Sequence, residues 1–203
     1  LYRARKALRL ILAVLGIYVT RGAEIYTGIL LSVLPFRPLW NTWWLPALFT
    51  VSALDTGIGI VTGYATLGER AEGAKKLRVA LEAFIITVII GEGVVLYLYL
   101  TNMLKSGGEV VSSVELLTKG VLSIPFWAVV VGMGLAIPLI ICLFQLSGLL
   151  KKKAAFVVPL IGLTSCLIGG WTLRYLVLSA GLPKTLSSPA FSQALDGVRF
   201  FMK

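Results

Sequence analysis

The chain has 203 residues, 58% of them hydrophobic, with a mean hydropathy of +0.92 and no histidine. So apolar a composition excludes a soluble globular domain, which needs far more polar surface. The net charge of +10 does not point to nucleic acid, because most basic residues sit in short segments between apolar runs.

Five runs reach the roughly 20 residues that a membrane-spanning helix needs. They are 8–34, 43–66, 79–104, 121–146 and 155–180. The pattern predicts an all-α, polytopic transmembrane helix bundle that forms a single domain over 1–203, with an outer-side tail at 181–203. The chain starts at Leu1 rather than Met and enters a membrane helix almost at once, which leads to the expectation of further helices upstream.

The first run carries Arg21 and Glu24 near mid-depth, three residues apart and so on one helical face. A charge at the bilayer centre costs about 2.5–3.5 kcal/mol on insertion scales. Either an ion pair or a proton or quinone role would offset that cost. Tyr26, Thr27 and Gly28 follow, and Gly28 admits a neighbouring helix or a ligand. A turn over Pro35, Phe36, Arg37 and Pro38 stops the helix. Trp43 and Trp44 are expected in an aromatic belt, and Trp40 and Asn41 are candidates for a headgroup pocket.

The second run holds Ser52, Asp55, Thr56, Gly57 and Gly59. Asp55 falls near the midplane at about 1.5 Å per residue. It is expected to be protonated, paired with Arg21, or part of a proton path. The polar stretch 68–78 reads as a solvated connection, and Glu82 is expected at an interface within reach of water. Glu92 lies near mid-depth between Gly91 and Gly93, and Tyr97 and Tyr99 are expected in the belt at the outer interface. Within the long loop that follows, VVSSVELL reads as a short interfacial helix.

Pro125 and Pro138 predict kinks in the fourth run, and Gln145 near its end draws no special role. The fifth run has Pro159, the tight-packing pair Gly169 and Gly170, and Arg174 in its last third. Arg174 either snorkels outward or holds a carboxylate or quinone carbonyl. In the tail, Phe191, Leu195, Val198 and Phe201 have the spacing of a short surface helix. Cys142 and Cys166 lie in separate apolar runs and read as small hydrophobes. No disulfide, zinc or other metal spacing appears. Without histidine, this stretch offers no bis-histidine haem site.

Arg3, Arg5, Lys6, Arg9, Arg70, Lys75, Lys76, Arg78 and Lys151–Lys153 share one side of the membrane. They outnumber the basic residues of the other side, Arg37, Lys105, Lys119, Lys184, Arg199 and Lys203. The positive-inside rule then puts the start of the chain in the cytoplasm and its C-terminus outside.

Tyr26-Thr27-Gly28 followed by LLSVLPFRPLWN, then LPALFTVSALDTG and the closing GGWTLRYLVLSAG, resembles the polysulfide reductase membrane-subunit family, also called NrfD-like. The resemblance implies the last five of eight or more helices, in a prokaryotic inner membrane. It implies a quinone-reactive anchor subunit, working with menaquinone or ubiquinone and holding no haem or metal itself. The implied partner is a [4Fe–4S] iron–sulfur subunit, joined to a molybdopterin or multihaem cytochrome subunit. Tyr26 is the quinone contact that the resemblance carries over. Trp40, Asn41 and Arg174 join it as quinone-binding candidates. Arg21, Glu24, Asp55 and Glu92 are candidates for a proton path or buried ion pairs. Two rival readings fit buried charges and kinked helices as well: a secondary transporter and a passive membrane anchor.

Overall fold

The computed structural model describes residues 2–35, 37–67, 72–147 and 154–181. The expected tail helix around 191–201 and the basic residues Arg70 and Lys151–Lys153 lie outside them. The described residues form helices and turns only. In order these are α1 (Tyr2–Ser32), α2 (Trp44–Leu67), α3 (Glu72–Lys105), the short α4 (Glu109–Thr118), α5 and α6 (Ala154–Gly181). The helix α5 is a rod that begins π-wound over Pro125–Ala136 and continues α-wound over Ile137–Leu146. The expected short helix in the long loop is α4, reached through Gly107 and Gly108, both at positive φ. The expected loop 68–78 is shorter than predicted, because α3 starts at Glu72.

Among the described residues, four helical segments are long and apolar enough to cross a membrane: Trp44–Gly63, Val79–Lys105, Pro125–Leu146 and Val157–Gly181. They match the second to fifth expected spans. The first expected span lies on α1, which has 31 residues but carries Arg21 and Glu24 inside its apolar stretch.

Helices α2, α3, α5 and α6 close a ring in which each packs on the next, and α4 covers one end against α3, α5 and α6. Helix α1 stands outside this ring, against α2. Gly28 makes that crossing possible, since a Cβ there would strike the Cα of Pro46. The α5–α6 crossing is closer still. A Cβ on Gly134 would meet the Cα of Gly169, and a Cβ on Gly169 the Cα of Gly134. Small residues let helices approach in lipid, where packing rather than water exclusion drives association.

The π winding of α5 has a traceable consequence. In this winding the Ile137 N–H bonds the Gly132 carbonyl, so the next link would run from residue 138 to Met133. Residue 138 is proline and has no N–H to give. The Met133 carbonyl is instead satisfied from α6, where the Ser165 hydroxyl donates to it at 2.5 Å. A kink residue in one helix thus fixes the register of the next.

The ring is layered along its axis. One apolar layer holds Leu45, Leu48, Phe49, Leu96, Tyr99 and Leu173 with the buried face of α4. The other holds Ile85, Ile89 and Cys142, with Ile58 and Leu139 packed against them. Two expectations change here. Tyr99 is not a belt residue: it is fully buried, and its hydroxyl donates to the Leu39 carbonyl at 2.9 Å. Glu82 is buried within the bundle rather than exposed at an interface.

The crossing of α5 and α6 is backbone against backbone, so no side chain can move aside for an added group. Gly134→Val or Gly169→Val should therefore lower stability by about 1–3 kcal/mol. Gly57→Ala, with open space around it, should be close to neutral. Thermal unfolding of the detergent-solubilised protein checks both, and equal midpoints for Gly134→Val and Gly57→Ala would refute the close crossing.

Candidate functional site

Between the two apolar layers lies a polar one. Ser52 and Asp55 come from α2, Glu92 from α3, and Ser165 and Cys166 from α6, all between 1% and 5% exposed. Their places follow from chain direction. On α2 and α3 these residues sit where the helix passes from one apolar cluster to the other, on α6 they precede its members of the first cluster, and the α5 segment at that level is the glycine pair Gly132 and Gly134.

The Cys166 thiol donates to Asp55 Oδ2 at 2.7 Å. Glu92 faces the Ser52 hydroxyl across the α2–α3 contact. Ser52 Oγ is buried and its geometry falls short of a hydrogen bond. Glu92 also lies within electrostatic reach of Asp55 and Arg174. Gly170 lets α6 come this close, because a methyl group there would touch Thr56 Cγ2, Ser52 Oγ and the Arg174 guanidinium.

Arg174 sits at the edge of this layer. Its guanidinium donates to the Gly170 carbonyl at 3.1 Å and to the Phe49 carbonyl at 3.5 Å. It also lies over the Phe49 ring, 5.7 Å from the centroid. It does not reach lipid by snorkelling. It faces a cleft of about 240 Å³ lined by Ala23, Glu24, Thr27 and Phe49. Glu24 therefore looks across this cleft at Arg174, with its Oε2 buried and without a partner. Among the described residues, no arginine or lysine comes within 4 Å of Glu24, Asp55 or Glu92. The expected ion pairs Arg21–Glu24 and Arg21–Asp55 are thus not made.

A second cleft, of about 470 Å³, opens where α1 leaves α2. Ile29, Ser32 and Val33 form one wall, and Asn41, Thr42, Trp43, Trp44 and Asn102 the other. Asn41 is exposed here, as a pocket residue should be. Trp40 is not part of it. It is buried, its indole N–H donates to the Val177 carbonyl at 3.0 Å, and it packs on Gly181, so its place is in the core. Tyr26 lines neither cleft. It is 63% exposed and lies on the side of α1 away from Gly28 and the bundle. Trp43 is 83% exposed, as a belt residue would be.

A third, narrow cavity adjoins the polar layer on its other side. Its volume is about 30 Å³, and Asp55, Thr62, Cys142, Gln145 and Cys166 supply its polar lining. Cys142, Cys166 and Gln145 carried no functional signal in the sequence. A thiol in an apolar run looks like any small core residue, and only the packing of α6 on α2 reveals Asp55 opposite it. Among the described residues, no group of three or more His, Cys, Asp or Glu side chains is placed to hold a metal ion.

The profile of the family described as "Polysulphide reductase, NrfD" matches residues 1–184. The sequence is 32% identical over 184 residues to one of the chains of the polysulfide reductase of Wolinella succinogenes, covering 89% of the present protein and 55% of that one. It is 29% identical over 181 residues to "Protein NrfD" of Escherichia coli, covering 89% and 53%. It is 28% identical over 156 residues to "Protein NrfD homolog" of Haemophilus influenzae, covering 77% and 48%. The chain thus spans about half the length of the curated relatives it matches. No solved structure matches it.

The bond from Ser165 to Met133 is the contact most open to direct test in this region. Interhelical hydrogen bonds in membrane proteins are worth about 0.6 kcal/mol on average and about 1.7 at most. Ser165→Ala should cost an amount within that range, because the Met133 carbonyl has no amide to return to. Thermal unfolding in detergent measures it, and an unchanged midpoint would mean that the carbonyl finds another donor.

Proposed function

Because the chain belongs to the polysulphide reductase NrfD family, we propose that it is the quinone-reactive membrane subunit of a respiratory oxidoreductase complex. It exchanges electrons between the quinone pool, menaquinone or ubiquinone, and an iron–sulfur partner subunit. A molybdopterin or multihaem subunit completes that complex. The start of the chain is cytoplasmic and its C-terminus outside, so the Asn41 cleft opens on the outer side of the inner membrane.

The observation that carries this reading is the larger cleft. It lies between α1 and the α2–α3 end, is walled by apolar side chains and two tryptophans, and offers the amides of Asn41 and Asn102. An apolar cleft with a few convergent polar groups is the usual form of a small-molecule site. A quinone ring fits the aromatic walls, and its carbonyl oxygens accept hydrogen bonds from amide N–H groups. Tyr26 meets a quinone only on the far face of α1, away from α2.

Quinone chemistry transfers two electrons with two protons, so a quinone site needs proton donors and acceptors within reach. The Glu24–Arg174 cleft and the layer of Asp55 and Glu92 behind it form the proton-handling part of the site. Arg174 orients this part by its bonds to the Gly170 and Phe49 carbonyls, and Arg21 adds positive charge on α1.

In the intact complex, Asn41→Leu removes one hydrogen-bonding group from a quinone in the cleft, and Tyr26→Phe removes one from a quinone on the far face of α1. Loss of one such bond corresponds to about a 3- to 10-fold fall in quinol turnover. Arg174→Ala should lower turnover as well, with quinone affinity retained. The measurement is quinol oxidation by purified complex, with stability checked in parallel. Wild-type turnover in all three would refute the quinone site and leave a passive anchor.

A further inference from the structure

The narrow cavity beside Asp55 has no part in binding quinone, yet its lining is chemically distinctive. Cavities that stay dry are apolar. This one presents a carboxylate from α2, the Thr62 hydroxyl, the Gln145 amide from α5, and the thiols of Cys142 and Cys166. Its volume of about 30 Å³ is room for about one or two water molecules.

Two of its polar groups are poorly provided for by the protein. Gln145 Nε2 is buried without a hydrogen-bond partner, although it carries two donors. Asp55 Oδ2 takes its bond from a thiol, a weak donor. A buried carboxylate needs stronger compensation than that. No arginine or lysine among the described residues is within 4 Å to give it. The charged and nucleophilic groups that face Asp55 are Cys166 from α6, Glu92 from α3 and Cys142 from α5. Water is the remaining source of hydrogen bonds, and the cavity has the size for it.

The cavity also has a direction. From Asp55 it runs along α2 to Gly59 and Thr62, and along α5 from Cys142 to Gln145, next to Pro159 at the start of α6. That is the Gln145 end of the bundle. Toward the opposite end, the apolar layer of Leu45, Leu48, Phe49, Tyr99 and Leu173 seals the ring.

We propose that this cavity is a water-binding inlet that reaches Asp55 from the Gln145 end only, and that Cys166 is the positioning residue that holds the carboxylate at its inner end. Its use in carrying protons rests on the quinone-linked reading above, whereas its existence does not.

Infrared spectroscopy of the intact protein tests the inlet without any turnover. The two thiol bands are assigned with Cys142→Ala and Cys166→Ala. In D₂O the Cys166 S–H should convert to S–D, and Gln145→Leu should slow that conversion severalfold without moving the band. Asp55→Asn should shift the Cys166 band, because its acceptor changes, while the Cys142 band stays in place. Asp55→Glu serves as a second variant should the amide fail to fold. In sealed vesicles of known orientation, a small charged thiol reagent should modify Gln145→Cys, at the mouth of the inlet, from the side of the Gln145 end alone, and leave the buried Cys142 untouched. A Cys166 S–H that persists in D₂O, a band indifferent to both Asp55 variants, or labelling from the opposite side would overturn the proposal. Quinol turnover enters none of these readouts, so failure of the quinone reading leaves them unaffected.

Discussion

The interior of this bundle is governed by a layer of ionisable and polar side chains held between two apolar layers. Asp55 and Glu92 are buried where a membrane helix ordinarily places leucine. Such groups are costly in lipid and persist where they pair, meet water or act. The surrounding architecture brings donors to them. Gly169 and Gly134 let α6 and α5 touch backbone to backbone, and Gly170 brings α6 against Ser52 and Thr56. That proximity places Cys166 against Asp55 and Ser165 against the Met133 carbonyl. Larger residues at the glycine positions would separate the helices and leave the carboxylates facing apolar groups.

The clefts follow from the position of α1. Outside the ring and anchored at Gly28, it meets α2 over a short length and then departs. On one side of the contact the gap becomes the Asn41 cleft, and on the other the Glu24–Arg174 cleft. The proposed electron-exchanging role calls for a space open to a lipid-soluble reactant beside groups that handle protons. A helix that crosses the bundle at one glycine supplies both, because its two flanks open onto different chemistry. Tyr26, between them on the outer face of α1, is 63% exposed, which leaves that face free for further contacts.

Much of the fold was legible because hydrophobic runs of spanning length have few structural alternatives. Glycines and prolines marked the crossings and the irregular helix, and Glu92 and Asp55 declared themselves as charges out of place. What stayed hidden depended on which helix faces which. Tyr99 looks like a belt residue and Trp40 like a headgroup-pocket residue by composition, yet both use their polar atoms to bond a backbone carbonyl across the bundle. Arg21 and Glu24 have the spacing of an ion pair, yet Glu24 turns toward α6. Cys166 had no signal at all, because its significance is the identity of its neighbour. Gln145 looked like an interfacial polar residue, and only the joint packing of α2, α5 and α6 places it on a cavity.

The absence of direct ion pairs among the described residues of this layer has a functional side. Glu92 lies in the field of Arg174, but Arg174 gives its hydrogen bonds to the Gly170 and Phe49 carbonyls and its face to the Phe49 ring. A bidentate salt bridge would bind the cation and one carboxylate into a fixed neutral unit and make any change of charge expensive. Here the positive charge is anchored independently of the acids, so its geometry does not collapse when an acid gains or loses a proton. Asp55 takes its bond from a thiol, a weak donor, and Glu92 faces the Ser52 hydroxyl without a hydrogen bond from it. On the proposed function, a fixed arginine beside carboxyl groups without ion pairs would let the buried layer exchange protons while the helices around it stay in register.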